Sequence, residues 1–163
     1  MEGSDPTATS RALISWRDVA LAVDELIATA QRSIDVFDQS LELQGWETRA
    51  RSDALKAAMI ERNVQVRMLV IAPGWVTTSL PRLMTLLKSH GHQLQIVAPG
   101  SSVNPNPNFI VADQQHLLFR PNSVRSPGTL HFNNSYKSMT YSKSFEVLWQ
   151  QRGTQVFPEA FGL

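Results

Sequence analysis

Hydrophobic positions along the first two-thirds of the chain alternate between a helical and a strand-like period. A Ser15-x-x-Asp18 capping box precedes apolar residues that recur every three to four positions, which predicts a helix over residues 16–31. Residues 33–38 then alternate in the manner of a strand. The same periods predict the other elements of this region: helices over residues 48–62 and from a Ser79 cap to Gly91, and strands over residues 64–71 and 93–97. Alternating helices and strands are typical of an α/β fold with a parallel core.

The pattern changes after Pro99. Residues 99–108 are rich in Gly, Ser, Asn and Pro, which indicates a loop. Further elements are predicted in chain order: a hairpin of residues 109–112 and 115–120 around Asp113-Gln114, a short strand over residues 129–132, and a helix from a Ser144 cap to Gly153. Because the hairpin adds antiparallel strands, the predicted fold class is α/β, with a mixed, largely parallel sheet flanked by helices on both faces.

Composition narrows the class of protein further. The chain of 163 residues, 42% hydrophobic and 18% charged, fits one globular domain, which we expect over residues 13–163 after a disordered lead over residues 1–12. The formal charge of +1 gives no overall basic field, so nucleic acid is not an expected partner, and no run is long and apolar enough for a membrane span. The absence of Cys excludes disulfides and Cys-ligated metal, and favours a cytoplasmic location. No cofactor is expected.

One segment carries the strongest indication of chemistry. Asn106-x-Asn108 is followed, after four largely apolar residues, by Asp113. This spacing resembles the His-x-Lys-x4-Asp motif of the phospholipase D superfamily, in which the His attacks phosphorus and the Lys neutralises the phosphoryl oxygens. Here both of those positions hold an uncharged amide, which can do neither. The resemblance therefore implies a phospholipase D-like scaffold without its catalytic residues.

Other passages support the same resemblance. Residues 30–36 look like the family's entry into its first strand, and residues 54–69 resemble its "L-x-x-A-x-x-R-G-V-x-V-R-x-L" passage, with Asn63 in place of Gly. The family's Gly-Ser-x-Asn turn, which donates hydrogen bonds to the phosphoryl group, does not follow Asp113. The resemblance extends from about Ser15 to Trp149 and corresponds to one half of a two-motif enzyme.

Three functional hypotheses follow. The first is a non-catalytic, binding or regulatory domain, homodimeric by family resemblance, in which Asn106, Asn108, Asp113 and His131 contact a phosphate-containing ligand. Equally, the two Asn residues could simply shape a surface loop. The second hypothesis is an active phosphodiesterase or nuclease with His131 or His116 as nucleophile. The third is an interaction module for a partner protein, with contacts at the indoles of Trp46, Trp75 and Trp149.

Metal binding is not predicted. Asp35 and Asp38 lie three positions apart on a strand, which places their side chains on opposite faces of the sheet.

Overall fold

The computed structural model describes residues 7–158 as one eight-stranded sheet with helices on both faces. The strands are β1 (Thr9–Leu13), β2 (Ser33–Asp38), β3 (Gln65–Val70), β4 (Leu94–Pro99), β5 (Asn108–Ala112), β6 (His116–Arg120), β7 (Gly128–Phe132) and β8 (Arg152–Gln155). The helices are α1 (Trp16–Thr29), α2 (Arg49–Arg62), α3 (Gly74–Ser79), α4 (Pro81–Ser89) and α5 (Ser135–Gln150). No helix within residues 7–158 is long and apolar enough to cross a membrane.

The order of strands in the sheet is β1-β7-β6-β5-β2-β3-β4-β8. The predicted α/β class with a mixed sheet is confirmed. The parallel part is smaller than expected, because only β2, β3 and β4 run parallel, and the other pairings that the structure describes are antiparallel. Three of the five antiparallel pairings come from β5, β6 and β7, and the other two come from β1 and β8, edge strands that the hydrophobic pattern did not indicate.

The first strand corrects the expected start of the domain. Residues Thr9–Leu13 pair with β7 from Phe132 to Gly128, although four of these five residues are exposed. The disordered lead expected over residues 1–12 therefore overlaps an edge strand. Backbone hydrogen bonds to β7 hold this strand, in which only the Leu13 side chain is buried. Residues 1–6 of that lead, and residues 159–163 at the predicted end of the domain, lie outside the described residues.

Each face of the sheet has its own hydrophobic core. The larger core joins one face to α1, α2, α3 and α4. On the opposite face, Phe145 and Trp149 of α5 pack on alternate side chains of the central strands, among them Phe37 and Phe109. This arrangement explains the near-continuous burial of β2 and β5, whose side chains are covered on both sides.

Local signals account for several helix ends and fail at two. The Ser15–Asp18 capping box is present, and Asn63 ends α2 in the left-handed conformation at φ 56°. The two other predicted caps are wrong. Ser79 ends α3, and α4 begins at Pro81 with no side-chain cap, whereas α5 begins nine residues before Ser144 and is capped by Asn134. Residues 135–144 are mostly polar, which is typical of a loop, so the sequence pattern did not indicate that α5 begins at Ser135.

The carboxyl ends of β2, β3 and β4 form one edge of the sheet, which we call the carboxyl edge. Because β5 and β7 run antiparallel to β2, they begin at this edge, and β6 ends there. The connecting segments of three or more residues at the carboxyl edge are residues 39–48, 71–73, 100–107 and 121–127. Ligand sites of open α/β sheets lie at such an edge.

Candidate functional site

A cavity of about 340 Å³ opens at the carboxyl edge. Its walls come from the ends of β2 and β3, the start of α3 and the loop after β6. The lining residues are Asp38, Gln39, Ser40, Glu42, Leu43, Ala72, Gly74, Trp75, Ser123 and Val124. The volume is in the range that holds a small ligand.

Asn106 and Asn108 lie beside this cavity, at the carboxyl edge, but form its support and not its lining. Asn108, the first residue of β5, is fully buried, and its Nδ2 donates to Asp38 Oδ1 at 2.6 Å. Asn106 lies in the preceding loop, where its Oδ1 accepts from the Ser123 backbone N–H at 2.7 Å. Both amides therefore hold neighbouring segments of the protein in place.

Asp38 is the buried carboxyl group of the cavity. It is 4% exposed, and its Oδ1 also accepts from the Gln39 backbone N–H at 2.6 Å. Within residues 7–158, Oδ2 is buried and has no hydrogen-bond partner. Burial raises the pKa of Asp38 to about 6, which the charge of Arg120, the hydrogen bonds from Gln39 and Asn108 and a weaker contact from the Leu41 backbone N–H only partly offset.

Arg120 is a fully buried cation near Asp38, and its donors are directed into the protein. Its Nη1 donates to the backbone carbonyls of Asn122, Ser123 and Arg125 at 2.7–3.2 Å. The guanidinium carbon lies 4.9 Å from the centre of the Trp16 ring. Arg120 thus fixes the loop of residues 121–127 and does not line the cavity.

The Gln44 side-chain amide lies between Arg120 and Asn108. Its two possible orientations form different hydrogen bonds. In one, Gln44 Nε2 donates to Asn108 Oδ1 at 3.1 Å, and Asn108 in turn donates to an ionised Asp38. In the other, the Gln44 oxygen accepts from Arg120 Nη2 and Nε at 2.8 and 3.2 Å and from a reversed Asn108 amide. The second orientation needs a protonated Asp38 to donate to Asn108, so the amides and the Asp38 proton are coupled.

Asp113 is not near the cavity, although it matches the third residue of the motif. It lies just past the far end of β5, where its carboxylate accepts from the backbone N–H groups of Gln31, Arg32 and Ser33 at 2.7–3.1 Å. Its φ of 56° also forms the tight turn between β5 and β6. Asp113 therefore anchors the start of β2, and the structure does not bring it together with Asn106 and Asn108.

The two candidate nucleophiles, His131 and His116, also lie away from the cavity. Both are in the half of the sheet opposite the carboxyl edge: His116 begins β6, and His131 precedes the last residue of β7. His116 Nδ1 accepts from the Asn133 backbone N–H, and His131 Nε2 contacts Thr129 Oγ1 at 3.1 Å. Burial lowers the pKa of each imidazole. No His within residues 7–158 lines the cavity.

The three indoles proposed as partner contacts have different surroundings. Trp46 is buried, with the Arg51 guanidinium 4.9 Å from its ring centre, and Trp149 is buried against Phe145. Neither provides an interaction surface, so that expectation is wrong for both. Trp75 is partly buried and lines the cavity.

Asp35 and Asp38 point to opposite faces of the sheet, as their spacing predicted. Arg67 contacts Asp35 through Nε at 2.9 Å and Nη2 at 3.2 Å, on the face covered by α5. Within residues 7–158, no three His, Cys, Asp or Glu side chains group closely enough to hold a metal ion.

Sequence reasoning missed most of the residues that line the cavity. Asp38-Gln39 at the carboxyl end of a buried strand was a usable signal, because functional groups of α/β sheets gather there. Glu42, Trp75 and Ser123 come from three separate connections, and no motif unites them.

Solved structures with the same architecture identify the fold. The Nuc protein of Salmonella typhimurium, a phospholipase D family member, matches with a TM-score of 0.69 and 14% identity, over 92% of this chain and 99% of Nuc. NucT from Helicobacter pylori matches with a TM-score of 0.62 and 10% identity, over 89% and 98% of the two chains. TrmBL2, an archaeal chromatin protein whose structure is described as showing a novel mode of DNA binding, matches with a TM-score of 0.64 and 14% identity, over 93% and 56%.

The protein therefore has a phospholipase D-like fold, which confirms the resemblance at the level of the scaffold. By sequence, the model of a domain of unknown function, DUF7931, matches residues 15–156, and the chain belongs to that family. No curated protein matches the chain by sequence.

Proposed function

We propose that this protein is a non-catalytic phospholipase D-like domain with a binding or regulatory role, exerted through the cavity at the carboxyl edge. The observation that carries the proposal is the environment of Asn108, which the motif resemblance aligns with the family's Lys. It is fully buried and hydrogen-bonded to a carboxylate, so it offers neither a charge nor a free donor to a phosphoryl group.

The surroundings of Asn106 and Asn108 support the same conclusion. Phosphodiester cleavage by the family's route needs an imidazole to attack phosphorus and cations to stabilise the transition state. The described residues that line the cavity include no His, Lys or Arg, and the nearest buried cation, Arg120, is engaged with backbone carbonyls. Loss of the nucleophile alone costs on the order of 10⁶ in turnover.

The positions of the four expected site residues do not support a shared phosphate site. A phosphate-containing ligand was predicted at Asn106, Asn108, Asp113 and His131, but these residues do not converge on one site. The prediction that nucleic acid is not a partner has no support from the comparisons, since TrmBL2 shares the fold and its structure is described as binding DNA. A cytoplasmic location stays a prediction.

We further propose that the protein is a homodimer. The support is the family resemblance, in which two motif copies face each other, together with a match that covers 99% of the Nuc chain and 98% of NucT. Light scattering at micromolar concentration tests this point. A mass of twice 18.2 kDa is expected, and a strictly monomeric protein would remove the dimer from the proposal.

Hydrolysis of bis(p-nitrophenyl) phosphate tests the loss of catalysis. Wild type, His131→Ala, His116→Ala and Asp38→Asn should release p-nitrophenol at the same rate as buffer. Turnover by the wild type that disappears with any of these substitutions would overturn the non-catalytic proposal. The set also identifies the residue responsible, because the three side chains occupy separate parts of the sheet.

A further inference from the structure

The cavity at the carboxyl edge has an acidic character that a phosphate site would not have. Asp38 lines it from the end of β2, and Glu42 lines it from the exposed loop that follows. Among the described lining residues there is no positive charge. An anionic ligand would therefore contact two carboxyl groups and no cation, since Arg120, the nearby buried cation, is not part of the lining.

We propose that this cavity binds a small organic cation, an ammonium or guanidinium group on a short apolar stem, with Asp38 as its main counter-ion, Glu42 as a second carboxylate and Trp75 as an aromatic wall. The inference rests on the proposed binding role of the cavity and specifies its ligand class.

The first support is the unpartnered oxygen of Asp38. Buried polar atoms in proteins are almost always hydrogen-bonded, and one that is not points to a partner from outside the chain. Asp38 Oδ2 forms no hydrogen bond of good geometry within residues 7–158, and the Leu41 backbone N–H gives the carboxylate only a weak contact, whereas Oδ1 already accepts from Gln39 and Asn108. Oδ2 is closed to solvent in this structure, so a positively charged N–H donor would reach it after a small rotation of the carboxyl group, and would then offset the burial of the charge.

The second support is the orientation of Arg120. This guanidinium could have neutralised the cavity, but its Nη1 is directed to three carbonyls of the 121–127 loop, and its plane lies near Trp16. Arg120 does not line the cavity and acts on Asp38 only as a nearby charge. The carboxyl group is held by its hydrogen bonds from Gln39 and Asn108, and Asp38 lines the cavity.

The third support is the apolar rim. Leu43 and Val124 both line the cavity and are 41% and 64% exposed, while Trp75 completes the wall. Exposed apolar side chains around a single buried charge suit a ligand with a charged head and a hydrocarbon stem. The indole adds a cation–π contact for ammonium or guanidinium groups.

A metal ion fits this site less well than an organic cation. Ca²⁺ takes six to eight oxygen ligands and Mg²⁺ six. The described residues contain no group of three His, Cys, Asp or Glu that could supply such a shell. One buried carboxylate with one exposed partner is enough for an ammonium group, which has three donors.

Isothermal titration with four ligands that share a butyl stem tests the inference. Butylammonium and butylguanidinium should bind. Butyl phosphate and 1-butanol should show no binding at ligand concentrations up to about 10 mM. Asp38→Asn should weaken cation binding at least about tenfold, because it removes the charge from a buried ionic hydrogen bond. Trp75→Leu should weaken it by about threefold.

The variants are chosen so that folding does not decide the result. Asn at position 38 still offers an oxygen to the Gln39 and Asn108 donors. The substitution Glu42→Gln changes an exposed side chain and should weaken cation binding less than Asp38→Asn does. Glu61→Gln, an exposed change of equal charge on α2, should leave binding unchanged. Binding of butyl phosphate in preference to the cations, cation binding that survives Asp38→Asn, or no cation binding at all would overturn the inference.

The failure of this inference and the failure of the proposed function give different results. Absent cation binding together with absent phosphodiester turnover removes only the ligand class. Turnover that depends on Asp38 or on an imidazole removes the non-catalytic proposal as well.

Discussion

Asn108 Nδ2 lies 2.6 Å from Asp38 Oδ1, so the residue that the motif resemblance aligns with the family's Lys is paired with a carboxyl group on the neighbouring strand. In this protein a basic residue at position 108 would meet a negative charge before it could meet a ligand. The relationship bears directly on any attempt to rebuild the family's active site.

Introducing the family's His and Lys at positions 106 and 108 should not produce phosphodiesterase activity. In the variant Asn106→His/Asn108→Lys, the introduced ammonium should form an ion pair with Asp38, and the Gly-Ser-x-Asn turn is still missing. We expect release of p-nitrophenol from bis(p-nitrophenyl) phosphate to stay at the level of the wild type. Adding Asp38→Asn frees the ammonium and is the matched comparison. Turnover by the first variant would show that Asp38 does not control this position.

The stability of the protein should depend on the protonation of Asp38. Its pKa is raised from 3.8 to about 6 in the folded state, so the folded state binds this proton more tightly than the unfolded state. The resulting stabilisation is fully present below pH 3.8 and is lost as pH rises through about 6. The free energy of unfolding should therefore fall by up to about 3 kcal/mol from this group between pH 4 and pH 7.

The matched variant Asp38→Asn isolates this contribution. Urea denaturation of wild type and variant across pH 4–8 gives the difference in unfolding free energy, in which the other titrating groups cancel. The wild type should lose stability relative to Asp38→Asn as pH rises. A difference that is constant with pH would mean that the carboxyl titrates normally. Cation binding should show the opposite trend and strengthen above pH 6, because it requires the ionised carboxylate.

On the other face of the sheet, Arg67 should be a main source of stability. Its guanidinium contacts the buried Asp35 through two nitrogens, contacts Glu146 at 2.8 Å, and lies 5.1 Å from the ring centres of Phe145 and Trp149. Arg67→Met would leave Asp35 buried and unpaired, a change that costs about 3 kcal/mol or more.

Two comparisons test the role of Arg67 by urea denaturation. Adding Asp35→Asn to Arg67→Met should recover part of the loss, since the unpaired charge is removed. Arg11→Met breaks the exposed ion pair with Glu25 and should cost less than about 1 kcal/mol. Equal losses for Arg67→Met and Arg11→Met would contradict the interpretation.

Asp113 should affect folding and not ligand binding. Its carboxylate accepts backbone hydrogen bonds from three successive residues, and its φ is positive. Asp113→Ala removes the acceptors and strains the turn, which should cost about 2–4 kcal/mol. Asp113→Asn keeps one acceptor oxygen and the tolerance for positive φ, so it should cost less. Titration with butylammonium should be unchanged in Asp113→Asn; weakened binding there would return Asp113 to the site.

Much of the fold could be predicted because each central helix and strand shows its own hydrophobic period within a short stretch of sequence. The periods of α1, β2, α2, β3 and β4 are visible in the sequence, and the first capping box is confirmed by the Ser15 and Asp18 hydrogen bonds. The two edge strands escaped prediction because their stability comes from pairing with β7 and β4, partners far away in sequence. A local window contains no information about such a partner.

The site was only half predictable for a related reason. The motif spacing placed Asn106 and Asn108 at the correct edge of the sheet, but it also grouped them with Asp113, which lies at the other end of the same strand. A linear motif does not distinguish residues that contact a ligand from residues that hold the strand in register. The cavity depends on Asp38, Glu42 and Trp75, whose proximity arises only when three connections fold against one another.

The hold of Arg120 on the 121–127 loop has a consequence for selectivity. Val124 cannot withdraw from the entrance unless the guanidinium gives up carbonyl partners in a buried setting, at a cost of a few kcal/mol. The entrance of the cavity therefore has a nearly constant width. The protein should select ligands by the width of their stems, because the loop does not adapt to each one.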